Sequence, residues 1–133
     1  MMTRLDDLGY KPMKLIYLAS PFSSPSKALQ HRRYKAVTKA GAYLTKHTGA
    51  AFILPITQSY ALVKAMPSLG GSFISWAEID FTLLSKCDEL WVLTIPGWRE
   101  SLGVMSEIKF AMNNNIPMWY VNPKTHAISR NTK

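Results

Sequence analysis

The chain has 133 residues, 47% of them apolar, which is enough for one domain with a hydrophobic core and too few for two ordinary ones. Sixteen Lys and Arg against eight Asp and Glu give a net charge of +8 and point to an anionic partner; no dense basic run interleaved with aromatics is present, so a small anion is expected rather than nucleic acid. A single cysteine excludes an internal disulfide, three histidines show no metal-ligand spacing, and neither a secretory leader pattern nor a membrane-length apolar run appears. The expectation is a cytoplasmic protein with no metal, no cofactor and no membrane partner.

Residues 1–12 show no periodicity and read as a mobile extension. "KLIYLAS", residues 14–20, is a near-continuous apolar run ended by Pro21, the pattern of a strand buried on both faces. Residues 24–47 have helical spacing, with a proline near the start and Gly49 just past the end. "AAFILPI" predicts a second strand, and "TQSYALVKAMPSLGG" a loop containing a short helix. Residues 72–87 predict a helix, "ELWVLTI" a third buried strand, residues 101–114 another helix, and "PMWYVNP" a fourth strand. Residues 124–133 read as a basic tail, leaving 13–123 as the domain.

Strands separated by helices imply an α/β fold, a flavodoxin- or Rossmann-like three-layer sandwich around a parallel sheet of four strands, or five. Such sheets bind ligands beyond the carboxyl ends of their strands. That rule selects three segments: "SPFSSP" with Ser20 and Phe22, the stretch near Gln58, and "PGWRES" with Trp98 and Arg99.

Charged residues then stand out against the helical pattern. At about 100° per residue, Phe73, Trp76, Ala77, Asp80, Leu84 and Cys87 share one stripe, with Asp80 in the middle of an apolar face. It is either a buried aspartate bonded to a neighbouring loop or a carboxyl whose pKa desolvation raises for acid catalysis. On the last helix Val104, Met105, Ile108, Ala111 and Met112 form the apolar face, and Glu107 sits at its margin. Ser101 and Gly103 open that helix, where they serve as an N-cap or as an anion site. Arg33 shares the apolar stripe of the first helix and requires an anionic partner, either a protein carboxylate such as Asp80 or Asp88 or a ligand phosphate. Trp98 and Arg99 offer a stacking plane and a planar donor, or else a packed indole and a solvated arginine. Phe110, Trp119 and Tyr120 suggest leftover apolar surface.

"YLASPF" after the opening strand, Asp80-x-x-x-Leu84-x-x-x-Asp88 before the third, and Ser101-Leu-Gly-x-x-x-Glu107 together resemble the nucleoside 2-deoxyribosyltransferase superfamily over residues 14–123. "SLGVMSE" is most similar to the 2'-deoxynucleoside 5'-phosphate N-hydrolases, and "PGWRES" to a small deoxyribosyltransferase-like branch. The resemblance implies that Glu107 is the nucleophile at the sugar C1', that Asp80 assists departure of the base, and that Tyr17 lies against the nucleophile and the sugar. It further implies that Ser101 and Gly103 hold a 5'-phosphate. Ser20, Phe22, Arg33, Trp76, Trp98 and Arg99 complete the expected substrate contacts. The N-hydrolases carry an arginine in the loop after the first strand; "SPFSSP" has none, and Arg33 or Arg99 must supply the charge. The expected ligand is a small-molecule nucleotide or nucleoside, and the expected assembly a homo-oligomer, dimer or larger. Hydrolysis of 2'-deoxynucleoside 5'-monophosphates leads, with base exchange, a non-catalytic nucleotide sensor and a nucleic-acid-binding domain as the alternatives.

Overall fold

Alternation along each strand decides which of two cores a side chain enters. The computed structural model describes residues 8–130, in which β1 (Leu15–Ala19), β2 (Ala51–Ile53), β3 (Glu89–Leu93), β4 (Met118–Val121) and β5 (Ile128–Ser129) form one sheet of order β2-β1-β3-β4-β5. Ile16 and Leu18 of β1, with Trp91 and Leu93 of β3, pack against Val37, Ala40 and Leu44 of α1 (Lys27–Thr48). Tyr17 and Ala19, with Leu90 and Val92, face the opposite way, toward Leu84 of α3 (Phe73–Ser85) and Val104, Ile108 and Ala111 of α4 (Leu102–Asn113). β1 and β3 are covered on both faces, as their unbroken apolar runs predict.

The first four strands are parallel, in the register Tyr17↔Leu90 and Trp91↔Trp119. The sheet is nevertheless mixed, because the predicted basic tail turns back. Asn122 Oδ1 accepts from the N–H groups of Lys124 and Thr125, and β5 then pairs antiparallel with β4. Two further readings need correction. The second strand ends at Ile53, and what reads as a loop with a short helix is the regular helix α2 (Pro55–Ala65). Pro55 occupies its first turn, where a missing N–H forfeits no hydrogen bond. Of the predicted extension, residues 8–12 are largely exposed and form neither strand nor α-helix; the remainder lies outside the described residues. No helix among the described residues is long and apolar enough to cross a membrane.

Serines start three of the helices. Ser26, Ser72 and Ser101 each accept from the N–H three residues on, at 3.1, 3.3 and 3.1 Å, satisfying one of the orphan donors of the first turn.

On α4 the predicted apolar face is rotated. Val104, Ile108 and Ala111 are buried, whereas Met105 and Met112 are 42% and 68% exposed. A Cβ at Gly103 would lie 3.2 Å from the Phe73 ring and Phe110 stacks on Phe81 at 5.1 Å, so α3 covers the Glu107 side of α4 and leaves the methionine side open. Phe110 is thus partnered within the chain. So are Tyr120, whose ring lies 5.6 Å from Trp98, and Trp119, which lies under Arg130 at 4.5 Å; the leftover apolar surface expected at these three residues is elsewhere.

The two cores should be separately sensitive. Leu44→Ala and Leu84→Ala each remove a side chain from a fully buried position and are expected to lower the unfolding free energy by roughly 2–5 kcal/mol in urea titrations. A loss below about 1 kcal/mol in either would contradict the assignment of that face as core.

Candidate functional site

Parallel strands release their following segments at one edge of the sheet, and here those segments enclose a cavity of about 610 Å³. The loop after β1 contributes Ser20 and Phe22, α1 contributes Arg33, and α2 contributes Ile56 and Ser59. Phe73, Trp76 and Asp80 come from α3, Gly97 and Glu100 from the loop after β3, and Ser101, Gly103 and Glu107 from α4 and its cap.

Glu107 is buried, and the Tyr17 hydroxyl donates to its Oε2. Tyr17 is fully enclosed beneath the cavity on β1, and burial raises its pKa, with the neighbouring carboxyls adding to the shift. It therefore stays a phenol and a donor. Burial pushes Glu107 up to about 8, against the opposing effect of the Tyr17 hydrogen bond and with a smaller contribution from the Asp80 charge. Asp80, also buried, is pushed up to about 6 by desolvation. The bland alternative for Glu107, a solvated surface carboxylate, is therefore excluded, and no hydrogen bond ties the Asp80 carboxyl to a loop among the described residues.

Arg33 answers the question its helix position raises. Its Nη1 donates to the carbonyls of Ser23 at 3.0 Å and Phe22 at 3.4 Å, and its Nη2 to the Pro96 carbonyl at 3.4 Å. Among the described residues it pairs with no carboxylate: Asp88 accepts from the Leu15 N–H at the opposite edge of the sheet. The side chain thus ties the loop after β1 to the loop after β3. Gly97 makes room for it, since a Cβ there would lie 2.5 Å from Nη2, and its φ of +96° also favours glycine.

Two buried polar atoms at this cavity, Ser20 Oγ and Arg33 Nε, have no hydrogen-bond partner among the described residues. Buried polar atoms in native folds are nearly always bonded, so this pair is an exception to the usual pattern.

Other expected contacts fall elsewhere. Trp98 packs against Tyr120 in the α3/α4 core, and Arg99 lies over its ring at 4.8 Å; neither lines the cavity. The expected stacking plane is thus a packed indole, and Gly97 and Glu100 of the same loop face the cavity instead. Trp76 lines it but commits its indole N–H to the Gly70 carbonyl at 2.8 Å. Ser101 spends its hydroxyl as the cap of α4 while still reaching the cavity wall. Sequence reasoning missed Ser59 and Glu100, although both lie in segments that the strand-end rule selects. Among the described residues no cluster of His, Cys, Asp and Glu is placed to hold a metal.

An α/β sheet with a buried tyrosine–glutamate pair under a carboxylate-lined pocket is the class of protein these observations define. Residues 14–122 match the family described as a domain of unknown function (DUF1937), and the chain belongs to that family. No curated protein matches it.

The raised pKa of Glu107 has a consequence for stability. A carboxyl whose folded pKa exceeds its unfolded value of 4.5 contributes stability that is fully present below about pH 4.5 and is lost as pH rises through about 8. Glu107→Gln, which cannot ionise, should gain on the wild type as pH increases from 5 to 9. Thermal unfolding across that range checks it, and a difference in Tm independent of pH would contradict it.

Proposed function

We propose that this protein cleaves the N-glycosidic bond of (2'-deoxy)nucleoside 5'-monophosphates through a covalent glycosyl–Glu107 intermediate, releasing the free base. The observation that carries this reading is the Tyr17–Glu107 hydrogen bond at the floor of a cavity that Asp80 also lines. Attack of the Glu107 carboxylate on C1' breaks the bond to the base, and Asp80 delivers the proton that the departing nitrogen takes up. Water, giving a proton to the now ionised Asp80, then attacks C1' and breaks the ester, restoring the Glu107 carboxylate and the protonated Asp80 and giving the sugar phosphate. Covalent catalysis divides one difficult displacement into two.

Proton placement is the critical requirement. With Glu107 pushed to about 8 and Asp80 to about 6, the pair keeps one proton at neutral pH, and Glu107 holds it more tightly. Attack needs the other tautomer, and the Tyr17 hydroxyl favours it by donating to the ionised Glu107. Ser20 and Arg33 line the cavity, and Arg33 provides the cation that the loop after β1 lacks. Phe22 and Trp76 line the same cavity with aromatic surface suited to a base. Ser101 and Gly103, at the start of α4, are assigned the 5'-phosphate.

Incubation with a panel of deoxynucleosides and their 5'-monophosphates, followed by chromatography, should show free base without any added acceptor. Glu107→Ala should reduce release to background while ligand still binds, and Asp80→Asn should slow it by at least a hundredfold, within the usual range for a general acid (~10²–10⁴). Wild-type rates in the Glu107 variant would exclude the mechanism. Release only when an acceptor base is supplied would make the protein a transferase, and tight nucleotide binding without release would make it a sensor.

Because a singly protonated pair is required, kcat/KM should peak between about pH 6 and pH 8. Asp80→Asn should abolish the alkaline limb and move the acid limb upward, from about 6 toward the Glu107 value, since Glu107 must then ionise alone and loses only the smaller contribution of the Asp80 charge. A profile that is flat from pH 5 to 9 would contradict the pairing.

Assembly into a homo-oligomer belongs to the same proposal. Its support is apolar surface at the cavity mouth, where Ile74 is 82% and Leu102 65% exposed. Sedimentation should give a species larger than one chain, and a fully active monomer at low concentration would contradict it.

A further inference from the structure

A second cavity, of about 980 Å³, adjoins the first between the start of α1 and the end of α2, with Phe22, Ser23, Ser59, Gly71 and Ser72 in the lining of both. The two differ sharply in charge. Asp80, Glu100 and Glu107 line the first together with Arg33, whereas the second has Lys27 and Lys64 in its wall and no carboxylate. A pocket for a drug-sized ligand spans roughly 300–1,000 Å³, so the first cavity alone accommodates a mononucleotide and the second is additional space.

The walls of the second cavity are held in place. Tyr60 stacks on Tyr34 at 4.0 Å, meets Phe22 edge-on at 6.1 Å and is bonded through its hydroxyl to His31 at 2.9 Å. The Lys64 ammonium lies over the Tyr60 ring at 5.1 Å, which fixes one cation at the rim. The Gln30 side-chain amide donates to the Ser24 carbonyl at 2.7 Å, ordering the side where Lys27 stands. Two ammonium groups with hydroxyl-bearing neighbours and no competing carboxylate suit a phosphate, because lysine binds phosphate as a point charge.

We infer that the second cavity is a subsite for a further phosphate group of the ligand, so that the preferred substrate carries a phosphate beyond the 5'-monophosphate. This rests on reading the first cavity as a nucleotide site. The further phosphate is the 3'-phosphate of a nucleoside 3',5'-bisphosphate or the internal phosphodiester of a short oligonucleotide. The base or sugar lies across the shared wall at Phe22, and the phosphate lies between Lys27 and Lys64.

Calorimetry on the Glu107→Gln protein, expected to bind without turnover, should compare a deoxynucleoside 5'-monophosphate, the matching 3',5'-bisphosphate and a 5'-phosphorylated dinucleotide. At least one of the last two is expected to bind tenfold or more tightly than the monophosphate, and the tighter one identifies the source of the phosphate. Adding Lys27→Gln and Lys64→Gln should remove that advantage while leaving monophosphate affinity within about twofold. Equal affinity for all three ligands, or an advantage that survives the two lysine substitutions, overturns the inference. Amide NMR shifts with inorganic pyrophosphate separate the two levels of the reading. Shifts at Lys27, Gln30 and Lys64 in a protein that binds no nucleotide would uphold the anion subsite and reject the nucleotide site. Turnover of monophosphates with those amides unmoved would do the reverse.

Discussion

A carboxylate buried at the end of a parallel sheet is the constraint around which this protein is arranged. Glu107 sits buried in α4 beside Val104, Ile108 and Ala111, and among the described residues its carboxyl accepts a hydrogen bond from the Tyr17 hydroxyl alone. Desolvation dominates its proton affinity, so the fold keeps the group near neutrality instead of leaving it permanently ionised. Asp80 is held in the same way from α3, and the packing of α3 on α4 brings both carboxyls to one cavity. Two carboxyls with proton affinities raised by burial at one cavity are the pattern expected of a functional site.

The remaining architecture follows from where those carboxyls have to be. Alternation along β1 sends Ile16 and Leu18 to α1 and leaves Tyr17 pointing at α4. Because β1 and β3 are parallel neighbours, their following loops emerge together, and Arg33 bonds to carbonyls of both. Gly97 is the condition for that bridge, since any side chain there would collide with the guanidinium. A change at Gly97 would therefore alter the cavity both directly, since Gly97 lines it, and through Arg33.

Much of this was legible in the sequence, and for identifiable reasons. The apolar runs of β1 and β3, the serines that cap α1, α3 and α4, and Asp80 in the middle of an apolar stripe are local signals that packing preserves. Glu107 reads only as marginal, because its burial depends on α3 covering one flank of α4, a tertiary fact that periodicity within one helix does not contain. Met105 and Met112 fail for the mirror-image reason, since no element covers their flank among the described residues. Trp98 looked like a ligand platform from its loop; its partner Tyr120 lies on a strand distant in sequence, and that pairing turns the indole into core. β5 escaped because a two-residue strand carries no pattern of its own and depends on the Asn122 turn.

The most direct test of the account is to find the bond it requires. The protein should be mixed with a 2'-deoxynucleoside 5'-monophosphate, quenched in acid within milliseconds to seconds, digested and examined by mass spectrometry. The account predicts a deoxyribose-phosphate ester on the peptide containing Glu107, formed as base appears and absent from Glu107→Gln. Base release at full rate with no adduct on that peptide at any quench time, and with Glu107→Gln equally active, would contradict it.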